Sequence, residues 1–160
     1  MQLSKMHSLK TDGFGEYNEV FEGAFPTWKD WFDRWKPGLF SKKDVEEIID
    51  PDLLGRAKNY IEEKKYLLGT NQGYMLHGDI TPDNIMIKDG KLSGIIDAAD
   101  ALSGDPMYDV ARTHQAFLGS GWSNSFISSY GEIDRGRIKF YGIIISLWDI
   151  ESKNKVCKTF

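Results

Sequence analysis

Asp79, Asn84 and Asp97 are the side chains whose types and spacing could do chemistry in this sequence. Moving a phosphoryl group from a nucleotide leaves a protein little covalent work. A base or orienting group must hold the attacking hydroxyl in line, and divalent metal must bridge the phosphate oxygens and neutralise developing charge. Mg2+ takes carboxylate and carbonyl oxygens and keeps several waters, so one or two protein ligands are enough. An Asp for the hydroxyl, an Asn five residues on and a second Asp further along would supply that set. Gly78 permits close backbone approach beside Asp79, and Pro82 stiffens the loop that runs to Asn84.

The surrounding elements must bring the three together. Tyr74-Met75-Leu76 is a short apolar run leading into His77. Asn84 to Ile87 and Leu92 to Ile96 are β-prone runs joined by Lys88-Asp89-Gly90-Lys91. Asp-Gly between two such runs is the strongest short hairpin signal. A hairpin brings the outer ends of its strands together, so Asn84 and Asp97 are predicted neighbours. If Leu92 to Ile96 is a buried strand, the carboxylate closing it needs a partner, and a metal ion is a suitable one. Singly, the residues have ordinary explanations. His77 fits a hydrogen-bonded core histidine, Asp83-Asn84 fits turn chemistry, and Asp97 and Asp100 fit solvated loop charges.

Around this centre the sequence reads as helical. Thr11 to Ala24 holds Gly13, Gly15 and Gly23 without periodicity and is predicted to be loop. Thr27 can cap a helix that carries Trp28, Trp31, Phe32 and Trp35 on one apolar face and ends at Pro37-Gly38. Ser41 with Asp44 suggests a capping box. Asp50-Pro51 starts a longer helix with Leu54, Ala57, Ile61 and Leu68 as its buried stripe. Asp105-Pro106 caps a helix whose apolar face is Met107, Val110, Ala111, His114, Phe117 and Leu118, and for Asp105 the cap explains the residue. The segment from Arg135 to Glu151 is apolar nearly all round, as a helix buried on several sides would be. The predicted fold class is α+β, mostly helical with one inserted hairpin.

Composition narrows the function classes. At 160 residues and 41% hydrophobic, the chain can form one domain with a real core. The net charge of -4 and the lack of a basic stripe argue against a nucleic-acid partner. Cys157 is the one cysteine, so no internal disulfide can form, which fits a reducing compartment. No apolar stretch approaches the ~20 residues that span a bilayer, and the first residues do not resemble a signal peptide. A cytoplasmic protein without a membrane partner is expected.

The run His77-Gly78-Asp79-Ile80-Thr81-Pro82-Asp83-Asn84, followed by Ile95-Ile96-Asp97, resembles the catalytic loop and metal-binding Asp of protein kinases, with Gly78 where those carry Arg. Ile95-Ile96-Asp97-Ala98-Ala99-Asp100 and Gly104-Asp105-Pro106-Met107-Tyr108-Asp109 resemble the aminoglycoside phosphotransferase and choline kinase family more closely. Met6-His7-Ser8, Gly13-Phe14-Gly15 and Pro26-Thr27-Trp28 add to that likeness, which covers nearly the whole chain. The resemblance implies the C-terminal lobe of a protein-kinase-like fold. It implies Asp79 as catalytic base or hydroxyl orienter, Asn84 and Asp97 as Mg2+ ligands, His77 as a brace of the loop, and Asp109 and Asp100 as supporting residues. It further implies ATP as co-substrate and a small hydroxyl-bearing acceptor, with an aminoglycoside or related antibiotic favoured.

A kinase of this type also clamps its nucleotide with a Gly-rich loop and a strand Lys paired to a helix Glu. Neither is found before Asp79: Gly13-Phe14-Gly15 continues as Glu16-Tyr17-Asn18. The expectation is a C-terminal lobe lacking its N-terminal, nucleotide-clamping partner, with little transfer activity by itself. The alternative is a catalytically incomplete, pseudokinase-like module retained for binding.

Overall fold

The computed structural model describes residues 2–40 and 43–157. Helix α1 (Gln2–Met6) leads to three short strands, β1 (Lys10–Thr11), β2 (Phe14–Tyr17) and β3 (Gly23–Phe25). Helices α2 (Trp28–Phe40), α3 (Lys43–Ile48) and α4 (Pro51–Lys64) follow, then strand β4 (Gly73–Leu76). A hairpin of β5 (Ile85–Lys88) and β6 (Lys91–Ile95) precedes β7 (Leu102–Gly104) and helices α5 (Pro106–Ala116), α6 (Trp122–Tyr130) and α7 (Arg135–Cys157). The mixed α+β class expected from the sequence is the class observed.

The stretch expected to be loop contributes strands instead. Strands β1, β2 and β3 join β4 and β7 in a five-stranded antiparallel sheet of order β1-β4-β7-β2-β3. Each strand is two to four residues long, too short to show a period of two, and each finds partners far away in sequence. Glu16, for instance, pairs with Leu102. The glycines mark crowding here. At Gly15, with φ of 82°, a Cβ would lie 2.4 Å from Cδ1 of Trp31.

Thr27 caps α2 as expected, accepting from the Asp30 amide at 3.1 Å and donating to its carboxylate at 2.6 Å. The helix does not stop at Pro37, however, but runs to Phe40. Pro37 removes one helical donor, yet Leu39 in the last turn is buried in the core, and that packing holds the turn. The proposed capping box falls on Ser41, outside the described residues. Asp50 caps α4 through the amides of Asp52 and Leu53, with Pro51 in the first turn.

Helix α7 closes the core. Phe140, Tyr141, Ile144 and Ile145 are buried against Trp28, Trp31, Phe32 and Ile61. Trp28 and Trp31 stack at 4.3 Å between ring centres, and Tyr108, Tyr141 and Trp148 meet this pair or one another edge-on. Trp35, placed on the same face by the sequence, is exposed instead, with the Arg34 guanidinium 5.5 Å above its ring. On α5 the buried positions are Asp109, Val110, Ala111 and Thr113; Leu118, expected on that face, lies beyond the helix end and is exposed.

The β5–β6 hairpin forms as predicted, with both turn residues left-handed: Asp89 at φ 51° and Gly90 at φ 70°. It is not buried. Ile87 is 57% exposed, Met86 51% and Ile96 47%. Burial therefore gives Asp97 no need of a partner. The hairpin positions Asp97 but does not force a counter-charge upon it.

Candidate active site

The loop after β4 is held by one carboxylate. Asp109, in the first turn of α5 and fully buried, accepts from the His77 amide at 2.6 Å through Oδ2 and from the Gly78 amide at 2.9 Å through Oδ1. Bonds from backbone N–H to an ionised acceptor are the stronger kind. Gly78 has φ of 84°, and a Cβ there would come within 2.0 Å of the Asp100 carbonyl oxygen. Only glycine fits both the turn and the approach. Asp100 thus meets the loop through its backbone, while its side chain is exposed.

His77 joins the loop to the hairpin. Its Nε2 lies 3.0 Å from the Ile96 carbonyl oxygen, an acceptor only, so Nε2 carries the proton. Its Nδ1 is buried without a hydrogen-bond partner among the described residues. At the far end of the loop the Ile96 amide donates to the Asn84 carbonyl at 3.0 Å. The strand ends meet there, and Asp97 follows directly. Asp97 sits at φ of 62°, a left-handed conformation that Asp and Asn tolerate better than most residues, and its exposed carboxylate has no partner among the described side chains.

Asp79 is engaged on both sides. The Asn84 amide nitrogen donates to the Asp79 carbonyl at 2.8 Å and to Oδ2 at 3.2 Å. That leaves the Asn84 amide oxygen outside these contacts. On the other side Arg112 donates to Oδ1 from Nη2 at 2.9 Å and from Nε at 3.2 Å. Its Nη1 reaches Asp149 on α7 at 2.5 Å. Burial opposes the charge of Arg112, but its hydrogen bonds to the Asp149 and Asp79 carboxylates, and their charges, outweigh it and hold the guanidinium above its ordinary pKa.

Arg112 and Asp149 were not singled out in the sequence. Arg112 follows Asp109 by three residues, so both project from neighbouring positions on α5 toward the same loop. That spacing was available. For Asp149 there was no comparable signal beyond its stopping the apolar run of α7. Asp105 also does more than cap. It accepts from the Met107 amide at 3.0 Å, but its Oδ2 binds Arg137 of α7 at 2.5 Å and the Tyr141 hydroxyl at 2.8 Å. Tyr141 in turn accepts from Trp28 Nε1 at 2.9 Å.

The donor set can be tested against Mg2+. Among the described residues no group of three or more His, Cys, Asp or Glu side chains is placed to hold a metal. Asn84 and Asp97 offer only hard oxygens at the end of an open hairpin, which suits an ion that keeps most of its waters and not one that wants nitrogen or sulfur. No described helix is long and apolar enough to cross a membrane.

Solved structures share this architecture. Aminoglycoside phosphotransferase APH(4)-Ia aligns with a TM-score of 0.70 at 17% identity, over 95% of this chain and 55% of that one. A thermostable mutant of the same enzyme, in ternary complex with AMP-PNP and hygromycin B, aligns with a TM-score of 0.63 at 19% identity, over 90% of this chain and 52% of its own. Choline kinase LicA from Streptococcus pneumoniae gives 0.60 at 21%, over 96% and 53%. The chain thus spans about half the length of the solved structures it matches. At these identities the likeness shows the fold. The family follows from the sequence itself: the profile described as "Phosphotransferase enzyme family" matches residues 2–141, a span that includes the Asp79 loop, the hairpin and α5, and the chain belongs to that family.

Proposed function

We propose that this chain is the C-terminal, acceptor-binding half of an ATP-dependent phosphotransferase that acts on a hydroxyl of a small molecule. The observation that carries the reading is the Asp79 carboxylate, fixed through Oδ1 by Arg112, with Oδ2 beside the Asn84 amide and the hairpin end that bears Asp97. In this reading Oδ2 accepts the proton of the acceptor hydroxyl and aims its oxygen at the γ-phosphorus. Asn84 and Asp97 would hold Mg2+, which when bound neutralises charge on the phosphate oxygens. Asp109 and His77 fix the loop, so that little reorganisation is needed during transfer. The clamp on adenine and β-phosphate would come from a lobe outside this chain.

For the acceptor, a cavity of about 570 Å³ lies among α5, α6 and α7, within the size range of small-molecule sites. Gln115, Asn124, Ser128 and Ser146 line it, with Arg135 and Lys139 also in its wall. Ile127, Ile133, Ile138 and Ile143 share the wall, so it offers hydroxyl and amide groups beside apolar surface; the aminoglycoside or related antibiotic favoured as acceptor rests on the family likeness and not on this wall. One aligned phosphotransferase structure is a ternary complex with AMP-PNP and hygromycin B. The second reading, a module kept for binding, is favoured by the half-length match alone, and it gives no reason to retain Asp79, Asn84 and Asp97 together.

The test is ATP turnover by the chain joined to a matching nucleotide-clamping lobe, on a panel of aminoglycosides, choline and amino sugars. Transfer to one class, abolished by Asp79→Ala, is the expected result. Turnover that survives Asp79→Ala removes Asp79 from the chemistry, and no turnover on any acceptor favours the binding module.

A further inference from the structure

The Met6-His7-Ser8 motif has no part in the site as described so far, yet His7 reaches it. His7 follows α1 and is buried. Its Nε2 lies 3.1 Å from Asp109 Oδ2, the same oxygen that accepts the His77 amide. Its Nδ1 lies 2.6 Å from the hydroxyl of Tyr130, the last residue of α6. The directions of these bonds follow from chemistry. A carboxylate can only accept, so Nε2 must carry a proton; in a neutral imidazole Nδ1 then accepts, and the Tyr130 hydroxyl donates to it.

We propose that His7 and Tyr130 are positioning residues of the catalytic loop: Tyr130 orients His7, His7 orients the Asp109 carboxylate, and Asp109 holds the His77 and Gly78 amides. Three donors converge on that buried carboxylate, and the side-chain donor alone comes from outside the loop and its helix. Two backbone amides fix where the carboxylate binds but leave it free to rock about the line between them. The Nε2–H of His7, sharing Oδ2, sets that angle. Through Tyr130 the same bond reports the placement of α6, which walls the cavity proposed for the acceptor. The relay therefore connects the helix that would feel the acceptor with the loop that carries Asp79. Its functional meaning rests on the proposed role of Asp79, but its geometry can be tested without turnover.

The experiment is ¹H–¹⁵N spectroscopy of the full chain, with long-range spectra of the imidazole nitrogens. The expected result is His7 as the Nε2–H tautomer. Tyr130→Phe should move the His7 Nδ1 resonance and leave Nε2 protonated. His7→Phe frees Oδ2 for the His77 amide alone, so the His77 amide proton should move downfield while that of Gly78, bound to Oδ1, moves less. His7→Gln, which can still offer an N–H to Asp109, should restore the His77 shift. An Nδ1–H tautomer, or a His77 amide indifferent to His7→Phe, overturns the proposal. If His7→Phe does not fold, Tyr130→Phe decides: an unmoved Nδ1 resonance is equally fatal. In the two-lobed enzyme His7→Phe should lower kcat by about tenfold with the KM for ATP unchanged, and His7→Gln should recover it. Should Asp79→Ala leave turnover intact while the loop amides respond as described, the proposed function fails and the relay stands.

Discussion

Arg112 holds Asp79 by one oxygen only: Nη2 and Nε both reach Oδ1, at 2.9 and 3.2 Å, while Oδ2 faces the Asn84 amide at 3.2 Å. A two-pronged grip on one oxygen leaves Oδ2 clear of the guanidinium, as its proposed role as proton acceptor requires. Arg112→Lys keeps the charge and loses the fork. Since the pair is a quarter to a third open to water, Arg112→Ala should cost only about 1 kcal/mol of stability by denaturant melts. In the chain joined to a nucleotide-clamping lobe it should lower kcat roughly a hundredfold, the scale of a misaligned reacting group. Arg112→Lys should recover the stability and little of the rate. Full rate in Arg112→Ala would mean that Asp79 needs no such clamp.

Gly78→Ala meets two obstacles, a left-handed φ of 84° and the Asp100 carbonyl at 2.0 Å. Gly90→Ala meets only the first, at φ 70° with open space around it. The hairpin substitution should cost roughly 1 kcal/mol, and the loop substitution about 3 kcal/mol. Thermal unfolding of the two variants side by side measures the difference. Equal losses would show that the backbone of Asp100 moves aside freely.

The proposed metal role of Asp97 is best tested with Asn. Asn tolerates the φ of 62° seen there, so Asp97→Asn removes charge without adding backbone strain, whereas Ala would do both. Mg2+ or Mn2+ titration of the nucleotide complex should show metal affinity at least about tenfold weaker, with the melting temperature unchanged. Unaltered affinity would take Asp97 out of the site.

Burial pushes the hydroxyls of Tyr108, Tyr130 and Tyr141 above the ordinary value of 10.0, and the carboxylates of Asp109 and Asp105 add to the shift. The folded-state pKa lies above the unfolded one, so their contribution to stability is fully present below pH ~10 and falls as the pH rises toward the folded values. Absorbance titration at alkaline pH should show these three ionising together with unfolding. Ionisation of all seven tyrosines in a folded chain would contradict the buried Trp28–Tyr141–Asp105 chain.

What was legible in the sequence was local. The Asp-Gly turn fixed the hairpin, and the hairpin fixed Asn84 beside Asp97, because both depend on contacts a few residues apart. Asp50-Pro51 and Thr27 announced their helices for the same reason. The sheet was not legible, since Glu16 has its partner at Leu102 and no strand is long enough to alternate visibly. Trp35 and Leu118 were misplaced because periodicity tells which positions share a face but not how far the neighbouring element extends. Arg112 was missed because its meaning lies in a loop 33 residues earlier, and the i,i+3 relation to Asp109 becomes informative only once Asp109 is known to face that loop.

Trp28 donates to Tyr141 across 113 residues. Read in the direction of synthesis, that bond sets a schedule. The aromatic face of α2 is made well before Phe140, Tyr141 and Ile144, which complete its packing. Until then Trp28, Phe32 and Ile61 lack the residues of α7 that cover them. A chain cut before α7 would keep that apolar surface open, a sticky polypeptide and not a smaller domain.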